Sequence, residues 1–260
     1  MKPSSYKAVI ADIDGTLVQY RPDLSQLSDA DALIPHSAVQ AIQKLHDAGI
    51  KVAAVTGRTY EQSKDILVKL GITGPCVFAG GATIRVIPSG EILSEASFAP
   101  EVLKDVTEVL FETLGADYPI TFAPAVKNSR LSNSVWAIIN KDVVAGILTK
   151  LSGIEGIYYV VNEGAGLDTQ SGLLILSNQA DKGIGTRRLL SLLDVAAKDA
   201  ACVGDGANDV LMFDECGLRI AMGNGEEILK QSADHVVAAI DKDGFAEAVD
   251  IILDPKSLSF

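Results

Sequence analysis

Residues 9 to 16 read VIADIDGT, an apolar run that ends in two aspartates one residue apart and then a Gly-Thr turn. Alternation along an extended strand sends Asp12 and Asp14 to the same side, so two negative charges meet where the strand stops. Such a pair repels itself unless a cation or a shared proton relieves it. Read alone, the stretch is a solvated Asp-Gly turn. It gains meaning from three further polar clusters: Thr56-Gly57-Arg58, Lys182 in NQADKGIG, and Asp205-Gly206-Ala207-Asn208-Asp209. Several carboxylates suit a hard cation, and Mg²⁺ typically takes one or two of them with water and phosphate oxygens. With a metal and Lys182 neutralising a phosphoryl group, one carboxylate can attack phosphorus while Thr56 and the Gly57 amide donate to the phosphoryl oxygens. A second carboxylate in an unlike environment can hold the proton for the leaving group.

Those residues need a fold that brings them to one rim. YKAVIADID reads as a buried strand, PHSAVQAIQKLHDAGI as an amphipathic helix closed by Gly49, and KVAAVTGR as a second strand. EQSKDILVKLGI makes another helix stopped by Gly71, and CVFAGGATI a third strand. Strands alternating with helices predict a parallel sheet covered on both faces. After about Ala82 the pattern turns to a hairpin, IRVI-PSGE-ILSEASF, and then to helices and strands up to GLLILSN, which predicts an inserted antiparallel α+β module. From NQADKGIG the βα rhythm returns through AACVGDGAND and LRIAMGN. The expected fold is α/β: a Rossmann-like doubly wound parallel sheet core over residues 1–83 and 179–260, with the α+β insert over 84–178. In such sheets ligands bind beyond the carboxyl ends of the strands, where Asp12, Thr56 and Asp205 fall. Lys182 opens the helix that re-enters the core, where backbone N–H groups face an anion.

Composition narrows the function classes. The chain has 260 residues, 48% of them hydrophobic, enough for one large domain or two unequal ones. Its 34 acidic against 22 basic residues give a net charge of -12, which disfavours nucleic acid and anionic membranes as partners. Cys76, Cys202 and Cys216 are odd in number and lack metal spacing, so buried thiols in a reduced compartment are expected. No apolar run reaches the length of a membrane span and the first residues lack a signal-peptide core, which points to the cytoplasm.

The segments DIDGT, VTGR, the lysine of NQADKGIG and VGDGANDVLMF, in that order, resemble the four motifs of the haloacid dehalogenase superfamily of phosphatases. The tail AMGNGEEILKQSADHVV with DKDGFAEAV is similar to the ending of its Cof-type sugar-phosphatase branch, and the insert resembles the subclass IIB cap. This resemblance implies Asp12 as nucleophile, Asp14 as general acid and then base, and Thr56, Gly57 and Lys182 around the phosphoryl group, with Asn208 orienting it. It implies Mg²⁺ held by Asp12, the backbone carbonyl of Asp14 and Asp205, with Asp209 as a nearer or more distant partner. Arg58 receives no catalytic role and is read as capping or salt-bridging its loop. Family members often carry Asn-Gly-Ala after the third strand, where this chain reads Ala79-Gly80-Gly81-Ala82, which puts substrate contacts at that loop in doubt.

The reading implied is a Mg²⁺-dependent phosphatase of a small phosphorylated metabolite, a sugar phosphate in the first place, acting as a monomer or small homo-oligomer. A phosphosugar mutase and a non-enzymatic phospho-acceptor module are the alternatives. The second carboxylate two residues after the nucleophile favours turnover over storage, because it can activate water. In the insert, Trp136, Tyr158 and Tyr159 are candidate ring surfaces for a sugar, although aromatic residues in strands are more often core. Asn128, Ser129 and Arg130 form a polar loop, and Glu163 and Asp168 can bond hydroxyls; spacing assigns none of them. His36, His46 and His235 are too scattered for a triad or metal site, and Asp241-Lys242-Asp243-Gly244 reads as a turn, not a calcium loop.

Overall fold

A computed structural model describes residues 6–19, 34–124, 132–162 and 168–254. Asn128, Ser129, Arg130 and Glu163 lie outside these residues. The chain divides into two compact units. Of the described residues, one comprises 6–19, 34–93 and 182–254, and the other 94–124, 132–162 and 168–181.

The first unit is built on a parallel sheet. Its strands are β1 (Ala8–Ala11), β2 (Lys51–Ala54), β10 (Ala200–Gly204), β11 (Leu218–Ala221) and β12 (His235–Val236), in the order β12-β11-β10-β1-β2, each pair parallel. All four residues of β1 are buried, as in a strand covered on both faces. Beyond β2 lies β3 (Gly74–Phe78), joined to it by a parallel bridge between Val55 and Val77 and paired in turn with the hairpin β4 (Thr83–Ile87) and β5 (Ile92–Glu95). That pairing groups the chain up to Leu93 with the sheet, and the described part of the second unit begins at Ser94.

Helices close this sheet in the manner their sequences predict. α1 (His36–Asp47) buries Ala38, Ala41, Ile42 and Leu45, one stripe at helical spacing, and Gly49 follows it with a φ of 75°. α2 (Tyr60–Lys69) starts with a capping box in which Thr59 and Gln62 satisfy each other's backbone N–H groups. α5 (Lys182–Leu192) packs on β3, the short α6 (Val210–Phe213) and α7 (Glu227–Ser232) follow, and α8 (Gly244–Leu253) packs on α1. Asp241 lies in a single 3-10 turn, Ile240–Lys242, which leads through Asp243 into α8, and Asp243 accepts a hydrogen bond from Ser37.

Cys202 on β10 and Cys216 are joined as a disulfide with Cα atoms 6.0 Å apart, and Cys76 is free and buried. This corrects the expectation of three thiols. The pair meets because the chain folds back over the Asp-rich loop, a proximity that sequence spacing does not carry.

The second unit has the antiparallel sheet β6-β7-β9-β8, formed by β6 (Ile120–Pro124), β7 (Ser132–Asn140), β8 (Ile157–Asn162) and β9 (Gln170–Ser177). α3 (Pro100–Leu114) and α4 (Lys141–Leu151) share a separate core with it, around Val106, Leu110, Val135, Ile139, Ile147 and Ile175. Tyr159 packs against that core. Alternation puts Trp136 and Tyr158 on the opposite face, where both are half-buried. Asp168 is exposed. No helix among the described residues is long and apolar enough to cross a membrane.

Candidate active site

The two aspartates of VIADIDGT do not share one relief for their repulsion. Asp12 follows directly on β1, its N–H bonded to the carbonyl of Val203, and its carboxylate lies 3.0 Å from the ammonium of Lys182. Ile13 turns into the core, and Asp14 turns to Arg58 instead, which donates from Nε at 2.7 Å and from its second amino group at 2.5 Å. Each carboxylate therefore has its own cation. Arg58 is the counter-charge that sequence reasoning left as a loop salt bridge, and its guanidinium is as buried as Asp12.

Lys182 is 3% exposed and makes a second, shorter contact of 2.6 Å with Asp209. Burial alone would lower its pKa, but the charges of Asp12 and Asp209 and the hydrogen bonds to them outweigh burial and hold it above the usual lysine range. The other oxygen of Asp209 accepts from the N–H groups of Asp205 and Gly206, both at 3.0 Å. Asp209 thus ties the lysine to the loop after β10. Asn208 is half-buried over Gly206.

Asp205 is gripped from the DxDGT turn and from a residue that sequence reasoning missed. Thr16 donates to its Oδ1 at 3.2 Å, and Asn224 reaches its Oδ2 at 3.4 Å while donating to the Gly15 carbonyl at 2.9 Å. Asn224 is itself fixed by the Ile240 N–H, and Glu226 accepts from the Ala207 N–H. Neither residue had a local signal beyond a Gly-Asn-Gly turn, because the contacts are made across the sheet.

Gly15 is required by this geometry. Its φ is 73°, and a Cβ there would sit 2.0 Å from Asp205 Oδ2. We expect Gly15→Ala to lower stability by about 1–2 kcal/mol through the left-handed backbone alone. It should also weaken divalent-cation binding by displacing Asp205. Urea unfolding and titration calorimetry check the two effects separately, and unchanged cation affinity would refute the second.

On the second strand end, Thr56 is buried and its Oγ1 accepts from the Arg58 N–H at 3.1 Å, while Gly57 is exposed with open space around it. The 3-10 turn Ala79–Gly81 stitches this loop down. Ala79 N–H donates to the Arg58 carbonyl at 2.8 Å and Gly80 N–H to that of Thr56 at 2.9 Å. Gly80, with a φ of 62°, thus keeps a backbone role where the family's asparagine is missing.

The charges are unbalanced. Oxygens of Asp12, Asp205 and Asp209 lie within 4.8 Å of one another, and Asp12 Oδ1 is buried without a hydrogen-bond partner among the described residues. Burial, and then the neighbouring carboxylates, raise the pKa of Asp12 well above the usual range, against the pull of Lys182. Burial and Asp209 likewise push Asp205 up to about 7. Among the described residues, four carboxylates, those of Asp12, Asp14, Asp205 and Asp209, face two cations, Lys182 and Arg58. A divalent ion would balance the remainder, and an orphaned carboxylate oxygen among hard oxygen donors fits one.

Residues 9–141 and 162–249 match the sequence profile of haloacid dehalogenase-like hydrolases. Phosphoglycolate phosphatase 1 of Saccharolobus solfataricus is 29% identical over 253 residues, 95% of this chain and 96% of its own. The phosphoglycolate phosphatase of Methanothermobacter thermautotrophicus is 26% identical, covering 94% of this chain and 97% of its own. Among solved structures, a haloacid dehalogenase-like hydrolase from Bacteroides thetaiotaomicron superposes with a TM-score of 0.77 at 19% identity, over 95% of this chain and 99% of the other. A subclass IIB sugar phosphatase of the same superfamily gives 0.75 at 20% identity, over 94% and 98%.

Proposed function

We propose, on the premise that the chain belongs to the haloacid dehalogenase-like hydrolase family, that it is a Mg²⁺-dependent phosphatase of small phosphomonoesters working through an aspartyl-phosphate on Asp12. The observation that carries this reading is the buried, unpartnered Oδ1 of Asp12, set beside Lys182 where Asp205 and Asp209 converge. Mg²⁺ would be held by Asp12, Asp205 and the backbone carbonyl of Asp14. Asp209, with both oxygens already engaged, serves as the anchor behind them. When bound, the ion supplies charge neutralisation for the phosphoryl group and for the carboxylates.

The chain's own residues divide the work. Lys182, Thr56 and the Gly57 amide bind the phosphoryl oxygens, and Asn208 orients them. Asp12 attacks phosphorus as the ester P–O bond breaks, and Asp14 gives its proton to the departing oxygen, releasing an alcohol. Water then attacks phosphorus, Asp14 takes the proton, and inorganic phosphate leaves as Asp12 is restored. The second unit is the substrate-selecting cap in this reading.

Full-length likeness to proteins named phosphoglycolate phosphatases makes phosphoglycolate the first substrate to try. Trp136 and Tyr158 offer ring surfaces of the kind on which sugars stack, and sugar phosphates are the second class to try. The test is a panel of phosphoglycolate, sugar phosphates and nucleotides, incubated with Mg²⁺ and with chelator, in which released phosphate is measured. Release that chelator abolishes is the expected result. Transfer to a second hydroxyl without release would mean a mutase, and a stable phospho-protein with no turnover would mean an acceptor module.

A further inference from the structure

Arg58 is the buried cation to which the scheme above gives no task. Its main chain is fixed on both sides, by Thr56 Oγ1 at its N–H and by the Ala79 N–H at its carbonyl. Its guanidinium is 7% exposed and grips both oxygens of Asp14 in a planar fork. Asp14 itself is weakly held. It stands in a tight turn closed by the Gly15 N–H bond to Val18, its side chain is 26% exposed, and among the described residues the fork is its only hydrogen-bond partner. A carboxylate has about four acceptor sites and the fork fills one on each oxygen, so the remaining lone pairs are left free and held in one direction.

We propose that Arg58 is a positioning residue that aims the Asp14 carboxylate for proton transfer. The inference rests on the phosphatase reading above and adds to it the device that orients its acid and base. Lysine cannot replace arginine here, because a single ammonium bonds as a point charge and leaves the carboxylate free to rotate.

Leaving-group dependence separates this role from phosphate binding and from plain structural support. An alkyl ester needs a proton on its departing oxygen, whereas a 4-nitrophenyl ester departs without one. The kcat/KM of either substrate reports the first chemical step. We expect Arg58→Met to lower kcat/KM for an alkyl phosphate by roughly 30-fold or more and for 4-nitrophenyl phosphate by less than about threefold. Arg58→Lys, which keeps the charge that the Met variant removes, should show the same split at roughly tenfold. Because Arg58 acts through Asp14, adding Arg58→Met to Asp14→Asn should cost nothing further. Equal losses on both esters, or an additive double variant, would overturn the proposal. If wild-type protein cleaves neither ester, the phosphatase reading falls and takes this one with it.

Discussion

Asp12→Asn is expected to end phosphate release, by roughly 10⁴-fold or more, in a protein that still folds. The side chain is nearly isosteric, and Lys182 keeps its 2.6 Å contact with Asp209 when Asp12 loses its charge. The stability effect has a definite sign. Burial first, and then Asp209, Asp205 and Asp14, raise the pKa of Asp12 above its unfolded value. In the pH window between those two values the native state therefore binds more protons than the unfolded chain, so ionising Asp12 weakens the metal-free fold as pH rises. Asparagine stays neutral throughout. In chelator at pH 8 the variant should match or exceed the wild type in thermal midpoint while releasing no phosphate. Retained turnover would remove Asp12 as the nucleophile, and a lowered midpoint would mean that its charge supports the fold after all.

The parallel sheet and its helices were legible because they depend on local patterns. AVIA is apolar throughout, and the α1 stripe and the glycines after α1 and α2 mark their own limits. The four ordered motifs were legible for the same reason, since each sits at a strand end or helix start, and the family they pointed to is the one whose profile the chain matches. Partnerships were not legible. Asp12 and Asp14 looked like one repelling pair awaiting one ion, yet Lys182, 170 positions from Asp12, and Arg58, 44 positions from Asp14, divide the pair between two cations. The grip of Asn224 on Gly15 and Asp205, and the meeting of Cys202 with Cys216, likewise arise only once strands lie side by side. In the insert, alternation alone could not separate Tyr159, which packs on the core, from Trp136 and Tyr158, because strand polarity toward the helices is set by the packing.

The second large effect is expected from Lys182→Met, which keeps the stem's volume and removes the charge. Asp12 and Asp209 would be left buried without it, and breaking a buried pair in this way costs about 3–5 kcal/mol. Loss of a phosphoryl-binding cation should lower turnover by roughly 10²–10³-fold. What makes the test sharp is its pH dependence. In the wild type, Lys182 has a folded pKa raised above its unfolded value, so its contribution is fully present at every pH below that unfolded value and does not change between pH 6 and 8. Burial and Asp209 already push Asp205 up to about 7, and without Lys182 both it and Asp12 move higher, since in each the lysine is a lowering influence. The variant's native state then holds extra protons across a wider window, and its stability rises as pH falls through it. Urea midpoints in chelator at pH 6 and pH 8 should therefore show a smaller deficit against wild type at pH 6. A deficit that is the same at both would mean the cost comes from lost packing around the lysine stem and not from the two carboxylates it separates.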